Sequence, residues 1–441
     1  MKIPQAPPAL TDWTERQKHT LATLRRVIAE SARGPAPDGR YRHWDTLRHI
    51  TPPNGLTSED WWAALKLARQ SLYRPMPLMD KKGDAFQYAL VDPVLEGLHQ
   101  IDRDLSGHMV VGDDVLRPET RDRYLLTSLV EEAITSSQLE GASTTRVVAK
   151  EMIRTERAPR TTGERMILNN YRAMQFVQEN RHADLSPDFV ERLHRILTQD
   201  TLEGPAFRQP GDGIAVYSDT DVLLHQPPPA HQITERMKAL CDFANGEETV
   251  FLHPVTKAIV LHFWLAYDHP FRDGNGRTAR ALFYWYMLKR GFWLAEFISI
   301  SRILKNAPAR YAKAFLYTET DGNDLTYFIL SQLRVLHQST DSLKAYLRRK
   351  TEEIRQTKAS LQQANLSLNH RQIALLSHAQ RHPGYTYTIA AHQRSHGVVY
   401  QTARTDLLDL VERGLLMQGK QGRTLIFDAP ADLASLLEAM G

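Results

Sequence analysis

Twelve consecutive residues, His269-Pro-Phe-Arg-Asp-Gly-Asn-Gly-Arg-Thr-Ala-Arg280, combine a base, an acid, a glycine-rich turn and two arginines. Pro270 disfavours helical backbone at the residue before it, so His269 is expected on an extended loop. With an ordinary pKa of about 6.5, its imidazole can take a proton from a hydroxyl at neutral pH. Asp273 supplies a carboxylate of the kind that holds Mg²⁺ together with phosphate oxygens. The pair therefore indicates chemistry on a phosphate group.

The turn and the arginines indicate what is bound. Gly274, Asn275 and Gly276 are predicted to adopt positive φ angles, which let backbone N–H groups converge on an anion at the start of the helix that Arg277 opens. The helix dipole adds about half a positive charge there. Arg277 and Arg280 share one helix face and are expected to point to the same place. The predicted ligand is a polyphosphate, and the predicted reaction is nucleotidyl or phosphoryl transfer. The alternative is a plain glycine-rich turn between two helices, with a capping histidine and solvated arginines.

This run resembles the signature of the Fic family, H-P-F-x-D/E-G-N-G-R-x-x-R, and matches it at every specified position. The resemblance implies a mainly α fold, with a Fic-type helical core and a short β-hairpin flap. It also implies transfer of AMP from ATP to a Tyr, Thr or Ser hydroxyl of a protein, including the enzyme itself. The implied roles are His269 as general base, Asp273 as the Mg²⁺ ligand, and Gly274, Asn275, Gly276, Arg277 and Arg280 as ATP-binding residues. Related kinases of the Doc type carry a bulkier residue at the second motif glycine, so Gly276 favours AMP transfer.

A second motif lies in a helix predicted at about 122–141. Its core-facing stripe follows helical spacing and consists of Leu126, Val130, Ala133, Ser137 and Glu140. Gly141 is predicted to end the helix, and a negative charge in the last turn opposes the helix dipole by about 0.3–1 kcal/mol, so Glu140 needs a cationic partner.

Ser136, Glu140 and Gly141 also match the Fic inhibitory motif S/T-x-x-x-E-G/N. The resemblance implies that Glu140 pairs with Arg280 and keeps the arginine from the γ-phosphate. The alternative is an ordinary exposed helix end. In some relatives the same glutamate also aligns water for removal of AMP, so this reverse reaction stays open.

A β-hairpin is predicted at about 213–226, between the two motifs. Four apolar residues alternate along it: Ile214, Val216, Val222 and Leu224. In Fic proteins a flap at this position pairs with the backbone of the target, so the resemblance implies that these residues dock the protein substrate by strand addition. The alternative is a plain surface hairpin.

Other residues that could do chemistry receive structural interpretations. His262 is predicted to be a core residue or one that supports the site from behind. His253, followed by Pro254, is predicted to begin a helix. Cys241 is the single cysteine, which excludes an internal disulfide, and it is predicted to be buried in a helix from Ile233 to Phe243.

Length and composition agree with this interpretation without deciding it. The chain has 441 residues, enough for two to four domains, and a net charge of +4, which is too small to choose between an enzyme and a DNA-binding protein. No apolar run approaches the roughly 20 residues of a membrane span, and the N-terminus lacks the layout of a signal peptide. A cytoplasmic protein is therefore expected.

Four regions are predicted: an N-terminal helical region at 1–110, a Fic domain at 111–330, a helical connector at 331–365 and a winged-helix-like domain at 366–441. In the N-terminal region, Trp44, Trp61, Trp62 and Tyr73 are expected to pack in a core. The last region resembles the winged-helix tail of some Fic proteins, with a recognition helix predicted within Thr402 to Leu416 and a wing predicted at Gly419 to Phe427.

The tail leaves a second function open. Its candidate DNA-contacting residues are Arg394, Gln401, Arg404 and Arg423. Residues 366–441 hold seven Lys or Arg against six Asp or Glu, a net charge of +1, whereas phosphate binding usually requires a distinctly basic face. Docking of a protein, or packing in a homodimer, is at least as well supported. The alternative function is a DNA-binding transcriptional regulator whose Fic core senses nucleotide.

Overall fold

The computed structural model describes residues 2–16, 20–105, 118–246, 250–363, 368–382, 384–421, 424–433 and 436. These residues form two compact units. One unit is drawn from Met1–Met109 and Val130–Thr340, and the other from Val110–Leu129 and Asp341–Gly441. Among the described helices, none combines the length and apolar character that crossing a membrane requires.

The first unit is mainly helical. Its helices are α1 (Leu10–Arg16), α2 (Leu21–Ser31), α3 (Trp44–Leu47), α4 (Ser58–Gln70), α5 (Asp92–Leu105), α6 (Pro118–Leu139), α7 (Arg146–Thr155), α8 (Thr162–Glu179), α9 (Pro187–Thr198), α10 (Ile233–Asn245), α11 (Pro254–Asp268), α12 (Asn275–Lys289), α13 (Ile300–Asn306), α14 (Pro308–Thr320) and α15 (Thr326–Gln363). Its strands are β1 (Tyr73–Met79), β2 (Ala85–Ala89), β3 (Val216–Tyr217) and β4 (Leu223–His225), which form two antiparallel hairpins. Helices α6 and α15 also contribute residues to the second unit. The predicted mainly α fold is confirmed.

The N-terminal region, predicted to be helical, contains the hairpin β1–β2 in addition to helices α1 to α5. Along β1, Met76 and Leu78 are buried while Pro75 and Pro77 are exposed, the alternation of a half-buried strand. Proline is normally confined to edge strands, to the first residue of a strand or to bulges. The two prolines therefore obscure the strand pattern in the sequence.

The tryptophans of the N-terminal region lie in a common core, as expected. Trp44, Trp61 and Trp62 are buried together with Trp13, whose Nε1 donates to Asp60 Oδ1 at 3.0 Å. Tyr73 is half-buried and donates to Asp324 Oδ2 at 2.9 Å. The region therefore has a core of its own and is joined to the chain just before α15 by a hydrogen bond.

The centre of the unit is built on helices α11 and α12. Almost every residue of both helices is buried, including Trp264 on α11 and Trp285 on α12. A helix that is apolar on all sides belongs inside a core rather than on its surface. Helix α10 packs against α11 and carries Cys241, which is 3% exposed, as predicted, and whose thiol pKa is raised by burial to about 12.

The second unit ends in a small α/β arrangement. Its elements are α16 (His370–Arg381), β5 (Thr386–Thr388), α17 (Ile389–His396), α18 (Tyr400–Glu412), β6 (Met417–Gln421) and β7 (Thr424–Asp428), with the antiparallel strand order β5-β7-β6. Gly397, with φ 61°, ends α17 before α18 begins, and α18 ends at Glu412, before the hairpin of β6 and β7. The winged-helix assignment stays a prediction.

The four predicted DNA-contacting residues are not all described. Arg394, Gln401 and Arg404 are exposed, and Arg423 lies outside the described residues. The division of the chain into four regions also stays a prediction.

Candidate active site

Helix α11 carries the predicted base at its C-terminal end. His253 caps the start of this helix by accepting a backbone N–H, with Pro254 in the first turn, as the sequence predicts. At the other end His269 has φ 45° and ψ 54°, so the prediction of an extended loop is wrong. Its N–H donates to Leu265 O at 3.0 Å and closes the last turn, while Pro270 prevents another turn. A residue in the left-handed region can close the last turn of the helix and still precede a proline. This backbone conformation costs about 1–3 kcal/mol.

The tautomer of His269 follows from its surroundings. Nδ1 lies 3.3 Å from Ala266 O, and because a carbonyl only accepts, Nδ1 carries the hydrogen. Nε2 is therefore the proton acceptor. Burial lowers the pKa of His269 to about 4, against the opposing effect of the hydrogen bond to Ala266. The ring is neutral at pH 7, as a general base requires.

Helix α12 begins shortly after the base and presents its N-terminus to the site. Gly274 has φ 82°, whereas Asn275 and Gly276 are helical, so the predicted positive φ angles are found at Gly274 and are wrong for the other two. A Cβ at Gly274 would also lie 3.0 Å from Thr198. The first intrahelical bond runs from the Thr278 N–H to Gly274 O, so three N–H groups precede it. Such groups can cradle a phosphate.

The loop between α11 and α12 is held by one motif residue and by two aromatic rings from elsewhere. Asn275 accepts the Phe271 N–H at 2.9 Å and donates to Phe271 O at 2.8 Å. Phe271 is fully buried, with the rings of His194 and Phe207 stacked on it at 3.7 and 5.0 Å. His194 also donates to Asp273 O at 2.8 Å. His194 and Phe207 lie far from the motif in sequence, and no local pattern points to them.

Arg277 is the third residue of α12, rather than its first, and pairs with the predicted metal ligand. Its Nη2 lies 2.8 Å from Asp273 Oδ2, and its Nη1 donates to Leu197 O at 3.1 Å. The Asp273 side chain is 49% exposed, whereas Arg277 is buried. Within the described ranges, no group of three or more His, Cys, Asp or Glu side chains is arranged to hold a metal by itself. A single half-exposed carboxylate nevertheless fits Mg²⁺, which takes one or two carboxylates and completes its shell with phosphate oxygens and water.

Arg280 has different partners from Arg277, so the expectation that both arginines point to one place is wrong. Arg280 is 2% exposed and donates from Nε to Ser136 Oγ and from Nη2 to Ser136 O, both at 3.0 Å. Nη2 also lies 2.7 Å from Glu140 Oε1. The structure thus brings Ser136, Glu140 and Arg280 together, while the inhibitory role given to them stays a prediction.

The Glu140 carboxylate lies against the start of α12. Helix α6 ends at Leu139, and Gly141 turns the chain with φ 92°. A Cβ on Gly276 would collide with Glu140 Oε1. The carboxylate therefore occupies the space over a helix N-terminus, where the dipole favours an anion.

Helix α6 is anchored behind Glu140 by apolar and polar contacts. Of the predicted stripe, Val130, Ala133 and Ser137 are buried, and the side chain of Leu126 lies outside the described residues. Glu132 on the same helix is also buried and accepts the Ser299 hydroxyl at 2.7 Å and the Ser301 N–H at 3.1 Å. Burial raises the pKa of Glu132. The end of α6 is thus fixed over α12 by several contacts besides Glu140.

The predicted hairpin is present and is shorter than the range 213–226. Val216 lies opposite His225, and Tyr217 opposite Leu223. The predicted docking residues are Ile214, Val216 and Leu224, which are partly buried, and Val222, which is 37% exposed. Tyr217 and Leu223, at 54% and 43% exposed, form the more accessible apolar pair.

His262 is a buried residue of the core, as predicted. Its Nε2 lies 2.8 Å from the Tyr311 hydroxyl, and burial lowers its pKa to about 3. The His262 ring is therefore neutral. The charge of Arg280 further disfavours protonation of this ring.

A model of the Fic/DOC family matches residues 184–287, which include α9, the hairpin β3–β4, α11 and most of α12. The chain contains a Fic domain. The family resemblance of the motif is thereby confirmed: the match contains His269 to Arg280, whereas Ser136 and Glu140 lie outside the matched residues.

The Fic domain is similar to curated adenylyltransferases. Protein adenylyltransferase fic-1 of Caenorhabditis elegans is 27% identical over 205 residues, which cover 45% of this chain and 38% of that protein. Protein adenylyltransferase Fic of Nematostella vectensis is 38% identical over 78 residues, which cover 17% of this chain and 18% of that protein. The chain therefore spans less than two fifths of the length of either relative.

A crystal structure of a Fic family protein from Desulfovibrio desulfuricans G20 shares the fold. It matches with a TM-score of 0.51 and 16% sequence identity, and the match covers 78% of this chain and 97% of that chain. The predicted Fic-type helical core is confirmed by this likeness.

Proposed function

We propose that this chain is a protein adenylyltransferase that transfers AMP from ATP to a Tyr, Thr or Ser hydroxyl of a protein, itself included. One observation carries the proposal: His269 is a neutral base, and five residues later Gly274 caps the N-terminus of α12, where a phosphate can bind. The names of the similar curated proteins support the same activity.

In the proposed reaction, the target hydroxyl oxygen attacks the α-phosphorus of ATP. The bond from that phosphorus to the bridging oxygen breaks, pyrophosphate leaves, and His269 Nε2 takes the hydroxyl proton. The N–H groups at the start of α12 and the Arg280 guanidinium bind phosphate oxygens. Arg277 adds a positive charge near the bound phosphates. It also orients Asp273, which would hold Mg²⁺. Mg²⁺, when bound, supplies neutralisation of the phosphate charge.

The proposal includes restraint by Glu140. Its carboxylate neutralises Arg280 and lies over the helix start, so it takes the position that the γ-phosphate of ATP requires. ATP and the carboxylate then compete for one guanidinium and one helix dipole. DNA binding by the tail and formation of a homodimer stay predictions that no contact of the described residues bears on.

The identity of the transferred group tests the proposed function. Purified Glu140→Gly, incubated with Mg²⁺ and ATP, should gain mass in steps of one AMP residue when the intact chain is measured, because its own exposed hydroxyls compete with any external target. A phosphate-sized step would replace AMP transfer with kinase chemistry. An unmodified chain that binds ATP and modifies no protein of a cell extract would contradict transfer altogether.

The exposed pair on the hairpin carries a separate prediction. Tyr217→Ser with Leu223→Ser should lower kcat/KM for a protein substrate about 30-fold, because two side chains that anchor an interface at about 1 kcal/mol each contribute about 2 kcal/mol together. The substrate in this assay is the His269→Ala chain, modified in trans by Glu140→Gly. ATP affinity should not change. Val147→Ser, which removes an apolar side chain that is 76% exposed on α7, is the matched control. Equal loss in both variants would refute docking by the hairpin.

A further inference from the structure

The last carbonyls of helix α11 all have partners. Leu265 O accepts the His269 N–H, Ala266 O accepts His269 Nδ1–H, Tyr267 O accepts His225 Nε2–H at 2.7 Å, and Asp268 O and His269 O both accept from Arg208. Carbonyls at a helix C-terminus lack intrahelical partners, and their partial negative charge favours cations. The base therefore lies in a helix end whose conformation is set by side chains from another part of the chain.

Arg208 joins this helix end to the exit of the hairpin. Its Nε donates to His269 O at 2.7 Å, and its Nη2 donates to Asp268 O at 3.1 Å and to Pro228 O at 2.5 Å. Pro228 belongs to the proline run just after β4. The Arg208 backbone N–H also donates to Pro270 O at 3.0 Å. One buried side chain thus contacts the carbonyls of the base, of the residue before it and of the chain that leaves the hairpin.

The planar fork of a guanidinium is suited to several carbonyls at fixed positions. A lysine carries a single charged nitrogen, which cannot reproduce three such bonds in the same geometry. Replacement of Arg208 by lysine would keep the positive charge and lose the forked hydrogen bonds. Substitution can therefore separate the effect of the hydrogen bonds from the effect of the charge.

Charge is the second contribution of Arg208. Burial is the main cause of the low pKa of His269. Electrostatic interaction with His225 and with the Arg208 guanidinium lowers the pKa further, whereas the interaction with Glu140 raises it. Arg208 itself faces Asp268, Asp212 and Arg236. Removal of the Arg208 charge should therefore make protonation of His269 easier.

We propose that Arg208 is a positioning residue: its guanidinium holds the carbonyls around His269 so that the base keeps its left-handed conformation and its place relative to the hairpin exit. The consequence for AMP transfer rests on the proposed function. The consequence for the His269 ring does not, because it is measured without turnover.

The test compares Arg208→Lys and Arg208→Gln with Arg236→Lys, all in the Glu140→Gly background. Arg236 is the matched control: it is also an arginine beside the end of α11, but it donates to the Asp268 carboxylate and to Met79 O, and not to the backbone carbonyls of Asp268 or His269. Two quantities are measured, kcat for AMP transfer to the His269→Ala chain and the NMR titration of the His269 ring in protein with ¹³C-labelled histidine. Thermal unfolding shows whether each variant is folded.

Arg208→Lys should lower kcat at least about tenfold with little change in the titration midpoint, because displacement of a catalytic group by about 1 Å can cost about 100-fold. Arg208→Gln should lower kcat as much and also move the midpoint upward. Arg236→Lys should change neither. Equal behaviour of all three variants, or loss of the folded form in both Arg208 variants while Arg236→Lys folds, would overturn a positioning role. A parent without AMP transfer would refute the proposed function. In that case an upward midpoint in Arg208→Gln, absent in Arg236→Lys, would still support the contact of Arg208 with the base, and unchanged midpoints in all variants would overturn it.

Discussion

Glu140→Gly is expected to raise both the affinity for ATP and the rate of self-modification by about 10- to 100-fold. In the wild type the carboxylate lies 2.7 Å from Arg280 and covers the start of α12. A hydrogen bond between charged groups is worth about 1.5–3 kcal/mol, and about 1.4 kcal/mol corresponds to a factor of ten. Because residue 140 lies after the last residue of α6, glycine there removes no helix-interior residue. Calorimetric titration with Mg²⁺-ATP and the time course of AMP incorporation measure the two effects.

Two substitutions by glutamine distinguish the effect of the Glu140 charge from the effect of its position. Glu140→Gln keeps the shape over Gly276 and loses the charge, so it should relieve the restraint less than glycine does. Glu131→Gln removes the same charge from α6, the helix that ends just before Glu140. Glu131 pairs with Arg146 at 2.6 Å and not with Arg280, so ATP affinity should stay at the wild-type value. Equal ATP affinity of wild type and Glu140→Gly would refute the restraint.

The sequence predicts which residues form the site better than it predicts their conformation. Pro270 shows that α11 cannot continue past His269, but it does not say which of the remaining backbone regions His269 adopts. The choice of the left-handed region is associated with Arg208, whose bonds to Asp268 O and His269 O depend on the fold. A residue sixty positions away in sequence cannot be found from the local pattern around the motif.

The two motif arginines illustrate the same limit. Spacing of three residues predicts that Arg277 and Arg280 share a helix face, and it gives no information on the reach of two long side chains. Arg277 pairs with Asp273, which lies just before its own helix. Arg280 instead contacts Ser136 on α6 and Glu140 just after α6. The match to an inhibitory motif located the second set of partners, which spacing alone did not.

His269→Ala should lower AMP transfer by about 10²- to 10⁴-fold, in the wild type and in Glu140→Gly alike, because a positioned general base contributes a factor of this size. Affinity for ATP should remain within about threefold of the parent, since the groups proposed to bind phosphate lie on α12 and not on the histidine. Intact mass and calorimetry on the same preparations separate loss of chemistry from loss of binding. His253→Asn is the matched control, because asparagine can still cap α11 and the change also removes one imidazole.

The pH dependence of Glu140→Gly identifies the base independently of its deletion. The folded-state pKa of His269 is lowered to about 4, so the ring is neutral and can accept a proton at every pH well above that value. As the pH falls through about 4 to 5, Nε2 becomes protonated and kcat/KM should fall, whereas a histidine with an ordinary pKa would lose activity already near pH 6.5. Removal of Glu140 takes away a negative charge that favours the protonated ring, which moves the acid limb lower still. An acid limb centred near pH 6.5, in protein shown by circular dichroism to be folded, would contradict a buried neutral His269 as the base.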